Sequence, residues 1–154
     1  MSMRLILELV PLNAWGKSLR AILSQTQWDI LRKQIYSNAY NACEVCGTTN
    51  VALHCHEVWS YDDHRHIQKL KCMMALCPAC HLTKHMGYAM TAGKYEDALH
   101  HLMKVNEIPE QEAKDYIHHE FQIWSQRSHF HWALDVSLLK SFGIDVEKLI
   151  LPHS

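Results

Sequence analysis

The stretch Leu76–His85, "LCPACHLTKH", decides how this chain is read. Cys77 and Cys80 are separated by two residues, His81 and His85 by three, and Cys80 adjoins His81. A CxxC turn brings two sulfurs to one side. On a helix, histidines at positions i and i+4 share a face. One short segment therefore offers two kinds of metal ligand, and the rest of the chain must say whether they serve one ion or two.

A second CxxC pair, Cys43 and Cys46, lies upstream. Four thiolates complete a tetrahedral zinc site, and a filled shell leaves no position for water, so the role is structural. The competing reading is a redox dithiol or buried free thiols; two such pairs in one chain weigh towards zinc. Between the pairs, "VALHCHEVW" (51–59) alternates, with Val51, Leu53 and Cys55 on one side, and predicts a strand. "SYDDHRHIQKL" (60–70) reads as a polar connection to the apolar "MMAL" (73–76). The pair His81 and His85 can present two imidazoles to one ion, or can be solvated helix residues. His56, on the preceding strand, would complete a three-nitrogen set with open positions for water and substrate.

Working outward, "LILELV" (5–10) is interrupted by Glu8 and followed by Pro11. It is too short for a membrane helix or a signal segment, so a cytoplasmic protein with reduced thiols and no membrane partner is expected. An extended segment and a short helix precede a helix over 26–42, with Thr26 as cap, Asp29 three residues on, and Trp28, Leu31, Ile35 and Ala39 on one face. Gly93 is expected to end the helix that carries the histidines. Three further helices are expected over 94–106, 109–128 (opened by Pro109) and 132–142 (stopped near Gly143). The pattern predicts an N-terminal helical segment (1–42), a zinc module (43–92) and a C-terminal helical extension (93–154). The fold class expected is α+β, a small core embedded in a mainly helical single domain.

Of the thirteen histidines, His100–His101 and His118–His119 fall in amphipathic helices, where neighbours point about 100° apart and form no joint ligand set. His129 and His131 read as packing residues, the five tryptophans as core anchors, and Cys72 as a buried thiol. The formal charge of −1 is uneven. Residues 1–90 carry nine Lys/Arg against six Asp/Glu, and residues 91–154 carry six against ten. The front half can meet phosphates, but the chain is far less basic than strong nonspecific DNA binders.

The order CxxC, then a strand of the form L-x-x-H-[EH]-hydrophobic, then LCxxCHxxxH resembles the HNH endonucleases over residues 43–85. "NAWGKSLR", "LMKVN" and "RSHFHW" are similar to an uncharacterised bacterial subgroup of these proteins. The resemblance implies a ββα-metal fold, two strands and a helix around one catalytic ion, and phosphodiester hydrolysis in DNA, with RNA left open as the alternative substrate. It puts His56 in the ligand slot, Glu57 in the general-base slot, His81 as the helical ligand and His85 as an additional one. It implies a structural zinc on Cys43, Cys46, Cys77 and Cys80, and a second divalent ion, Mg, Mn, Ni or Zn, that stabilises the departing 3′ oxygen.

The chain departs from the family pattern at two positions. Glu57 stands where a histidine base is usual, and Cys72 where an asparagine braces the loop. An alternative register makes Cys55 the ligand and His56 the base. His54, His64 and His66 are further candidates for the base. Lys84, Arg65, Lys69 and Lys71 are candidate phosphate contacts, or plain surface charges. Three readings compete: an HNH-type nuclease, a degenerate module that binds nucleic acid or a protein partner without cutting, and a structural zinc protein. A low basic charge leaves room for a homodimer or a protein partner.

Overall fold

In the computed structural model, residues 3–149 are described. They form a mixed α/β domain around a three-stranded sheet of order β1-β2-β3. Strand β1 (His54–Asp62) pairs antiparallel with β2 (Ile67–Leu76), and the short β3 (Ala133–Asp135) pairs parallel with the start of β2. Five α-helices surround it: α1 (Gln25–Asn38), α2 (Pro78–Lys84), α3 (Met86–Thr91), α4 (Tyr95–Asn106) and α5 (Glu110–Arg127). None is long and apolar enough to cross a membrane.

Two hydrophobic clusters build the core. The first joins Leu76, Met86, Leu99, Leu102 and Ile117 to Cys43, Cys77 and Cys80. The second gathers Trp15, Trp28, Leu31, Ile35, Leu70, Met73 and Leu139. Strand parity sorts the hairpin between them. On β1, Cys55 belongs to the second cluster and Trp59 packs against it, so His54 and His56 point the other way. On β2, Leu70 and Met73 both face the second cluster although they differ in parity. A register shift reconciles them: Val58 pairs with Cys72 and Trp59 with Leu70, which leaves Lys71 as the extra residue of a bulge.

Several expected elements differ in detail. Helix α1 is capped two residues earlier than Thr26, by Ser24 with Gln27 in a reciprocal capping box, while Asp29 bonds Gln25 and Arg32. The polar connection 60–70 is mostly strand: β1 runs to Asp62 and β2 starts at Ile67. Pro109 is the N-cap of α5, not a residue inside it. The helix expected over 132–142 is β3 followed by a 3-10 segment, Ser137–Phe142. Gly93, at positive φ, follows α3 rather than the helix of His81, which breaks at His85, and Gly143, also at positive φ, ends the 3-10 segment. Of the tryptophans, Trp15, Trp28 and Trp132 are buried, while Trp59 and Trp124 are half-buried. Cys72 is half-buried too.

The N-terminal segment matters most for the site. Residues 4–15 form no helix or strand, turn at Pro11–Ala14, and are clamped along their length. Asn106 holds the amides of Arg4 and Leu5 and the carbonyl of Leu5. The Tyr116 hydroxyl accepts from Leu7 N–H, Glu8 N–H donates to the Lys84 carbonyl, and the Trp124 indole N–H donates to the Val10 carbonyl. Fully buried Gln68 bonds both backbone groups of Trp15. These bonds fix where Glu8 sits.

Candidate metal centres

The four cysteines form one cluster, with a sulfur from each lying within 4.8 Å of the others. The first pair sits in a turn closed by the Gly47 amide on the Cys43 carbonyl, and Gly47 takes φ +78° there. Glu44 ties that turn to β2: its amide donates to the Ala75 carbonyl and its carboxylate accepts from Ala75 N–H. The second pair is the first turn of α2 itself. Cys77 is the N-cap, its sulfur accepts from Cys80 N–H, and Pro78 fills the first turn. Burial pushes the Cys43 thiol up, but N–H groups of Cys46, Cys77 and Val45 outweigh it and bring the value down to about 7. Burial and the crowding of the other sulfurs raise Cys80. Four soft sulfurs within 4.8 Å of one another, one of them with its pKa lowered, fit a structural ion such as zinc.

One contact at this cluster has no local signature in the sequence. His101, on α4, places Nε2 3.1 Å from Cys80 Sγ. Its neighbour His100 points elsewhere, 4.0 Å from Glu96. The two do not act as a joint set, as adjacent helix residues should not, but His101 is a partner of the sulfur cluster.

The second cluster is His56, His81 and His85, again with ligand atoms within 4.8 Å of one another. His56 comes from β1 and is 1 % exposed. His81 comes from α2. His85 follows directly, at a break (φ −93°, ψ 56°) that separates α2 from α3. The helix ends at His85, yet the one-turn spacing survives: His81 Nε2 and His85 Nε2 lie 3.1 Å apart. The centroid of the His56 ring is 5.2 Å from the centroids of both others. Burial lowers the pKa of His81 to about 3, with His85, His56 and His54 adding to it. Burial and His56 lower that of His85 to about 4. Both rings therefore keep free lone pairs at neutral pH, the state a cation requires. His56 Nδ1 is buried without a hydrogen-bond partner. An orphaned nitrogen beside two neutral imidazoles fits a divalent ion.

Outer partners hold two of these rings. His54, exposed on the same face of β1, has Nδ1 2.8 Å from Nδ1 of His81. His56 Nε2 donates to Glu8 at 2.8 Å, and Glu8 also takes Lys84 Nζ at 2.7 Å. Burial raises the Glu8 pKa, but the hydrogen bond from His56 and the ammonium of Lys84 help to outweigh it, so its carboxyl lies below the usual range. Glu8 was legible in the sequence only as the break in an apolar run.

The other expected site residues are distributed differently. Glu57 has the opposite parity to His56 on β1, and its Oε1 accepts from Leu19 N–H at 2.9 Å. Its carboxylate is occupied with the N-terminal part of the chain rather than with the imidazoles. Cys55 faces the second core cluster, which leaves the alternative register without a ligand on the histidine side. Lys84, expected as a phosphate contact, is 2 % exposed and neutralised by Glu8. Arg65 pairs with Asp62 in the β1–β2 turn, where His64 and His66 also lie. Lys69 is exposed on β2 opposite Asp135 of β3. Lys71, turned by the bulge, lines a cleft of about 830 Å³ that also reaches His54, His56, His81, His85 and Glu57. Lys17 and Arg20 stand exposed on the same cleft.

No family model matches the chain, and comparisons with curated proteins and with solved structures return no match.

Proposed function

We propose that this chain is a metal-dependent endonuclease of HNH type that hydrolyses phosphodiester bonds in DNA. The observation that carries the reading is the convergence of His56, His81 and His85 beside a separate four-cysteine cluster, in the order strand, strand, helix. A hairpin and the helix that follows it, pinned by sulfur-bound zinc, would be a ββα-metal core. Three imidazoles would hold Mg, Mn, Ni or Zn and leave open positions on the cleft side. When bound, the cation would supply positive charge to the scissile phosphate and its leaving oxygen.

The remaining work falls to side chains of this chain. Lys71, with Lys17 and Arg20, would hold flanking phosphates in the cleft. The proton of the attacking water needs an acceptor within hydrogen-bond reach. Two groups on the cleft can take it: Glu57, if substrate frees its carboxylate from Leu19, and His54, exposed beside His81. The test is nicking of supercoiled plasmid with each of the four metals. His81→Ala should abolish cutting with folding retained. Parallel assays of Glu57→Gln and His54→Ala identify the base by which variant loses turnover.

A second reading has one observation in its favour. The engagement of Glu57 with Leu19 suits a degenerate module that binds nucleic acid or a protein partner without cutting. Wild-type protein that retards DNA on a gel and never nicks it, with any of the four metals, would select this reading over the first.

A further inference from the structure

Glu8 lies 48 residues before His56 and belongs to none of the elements that carry the imidazoles. Its carboxylate is 16 % exposed and makes two short contacts, to His56 Nε2 and to Lys84 Nζ. Lys84 Nζ also lies 3.4 Å from the Ile6 carbonyl, so the ammonium is held wholly by the N-terminal segment. A buried lysine on a helix with no function would be costly. Here it neutralises a carboxylate that would otherwise face His56 alone.

The geometry on His56 is one-sided. Nε2 is taken by Glu8, while Nδ1 is buried, has no partner, and belongs to the ring that faces His81 and His85. A carboxylate accepts but cannot donate, so the proton of the His56 ring must sit on Nε2. The lone pair is then on Nδ1, on the side of the other two imidazoles. A hydrogen bond at the outer nitrogen of a ligating histidine fixes its tautomer and orientation and raises its basicity.

We infer that Glu8 is a positioning residue for the histidine cluster, locking His56 in the Nε2–H tautomer so that Nδ1 is the atom offered to a divalent cation. Lys84 holds Glu8 in place, and the N-terminal segment is thereby part of the metal centre. The inference rests on the reading that the three imidazoles bind a cation, but not on nuclease activity.

The experiment has two readouts, neither of which is cleavage. Long-range ¹H–¹⁵N correlation spectra of zinc-loaded protein, with the histidine cluster free of added metal, report which His56 nitrogen carries the proton. Nε2–H is expected, and an Nδ1–H signal in the wild type overturns the inference. The second readout is calorimetric titration of Ni²⁺ into the same sample. Glu8→Ala alone would leave a buried ammonium and can fail to fold, so the variant used is Glu8→Leu with Lys84→Met, which removes the acceptor without orphaning a charge. Its His56 is expected to populate both tautomers, and its Ni²⁺ affinity to fall about 10–100-fold, the usual effect of losing an outer-shell partner. Glu8→Gln, whose carbonyl still accepts from Nε2–H, should keep the tautomer and most of the affinity. A folded double variant that binds Ni²⁺ like the wild type overturns the inference, as does a wild type whose histidine cluster takes up no Ni²⁺. Plasmid assays on the same samples judge the nuclease reading independently.

Discussion

With zinc on the four-cysteine cluster, as its four sulfurs allow, removing the ion should melt one side of the sheet before the other. Cys43, Cys77 and Cys80 are members of the first core cluster, and Leu76, Met86, Leu99 and Leu102 belong to it with them. The second cluster contains none of the four, and α1, Trp15 and Trp28 depend on it instead. The energy at stake is large. Structural zinc binds such sites with about 10–16 kcal/mol, while a whole domain is stable by about 5–15 kcal/mol. Without the ion, four sulfurs must share one buried space, with Cys46 Sγ 3.7 Å from Cys77 Sγ. The turn 43–46 and the first turn of α2 then have little to hold them together.

The perturbation is a zinc-buffered series, with thermal unfolding followed by circular dichroism at each free-zinc level. A ligand at a thousand times its Kd stabilises by about 4 kcal/mol. For a chain of this size each kcal/mol moves Tm by about 2–4 °C, so the series should span about 8–16 °C. Amide exchange at low zinc should show Leu99 and Leu102 of α4 losing protection while Leu31 and Ile35 of α1 keep theirs. Cys80→Ser removes the fully buried sulfur and should abolish the dependence on zinc. A Tm that ignores free zinc, or α1 opening before α4, would refute the argument that sulfur-bound metal organises the first cluster.

Two lysines that look alike in sequence should behave in opposite ways. Lys71→Ala, on the cleft, should leave Tm within a degree or two and weaken DNA binding, lowering the salt slope of log K by about 0.9; Lys84→Ala, which leaves half-buried Glu8 with His56 as its remaining partner, should cost up to about 3 kcal/mol in urea unfolding. For pH, folded-state values of about 3 for His81 and about 4 for His85 lie below the ordinary 6.5. A depressed histidine stays unprotonated as pH falls, so the ring signals of both should hold their neutral positions from pH 8 to pH 5.5 in NMR spectra. A midpoint near 6.5 for either ring would show that burial does not protect it.

What the sequence revealed follows from the range of each interaction. The two CxxC pairs and the His81–His85 spacing are local, and the fold brings each set together. His56 required one step more, a strand whose parity puts it opposite Cys55, and that parity is present. The same alternation, carried one residue further, would have set Glu57 on the Cys55 side, away from the imidazoles. The family resemblance pointed to Glu57 as the base, while the periodicity pointed the other way. Strand β3 was illegible because three residues have no period of their own. "ALD" extends only because β2 offers it a partner, and without that partner the leucines of 134–139 read as a helix.

Glu8 and Lys84 show the limit most clearly. Read separately, one is a charge that spoils an apolar run and the other a charge on a short helix, and surface exposure is the ordinary inference for both. Lys84 is buried and Glu8 half-buried, and the two neutralise each other while Glu8 accepts from His56 on the side away from its partners. Apolar periodicity records burial against a core, so a site assembled from mutually neutralising charges 76 residues apart leaves no periodic trace. The stretch "LILELV" was therefore informative at the residue that broke its pattern.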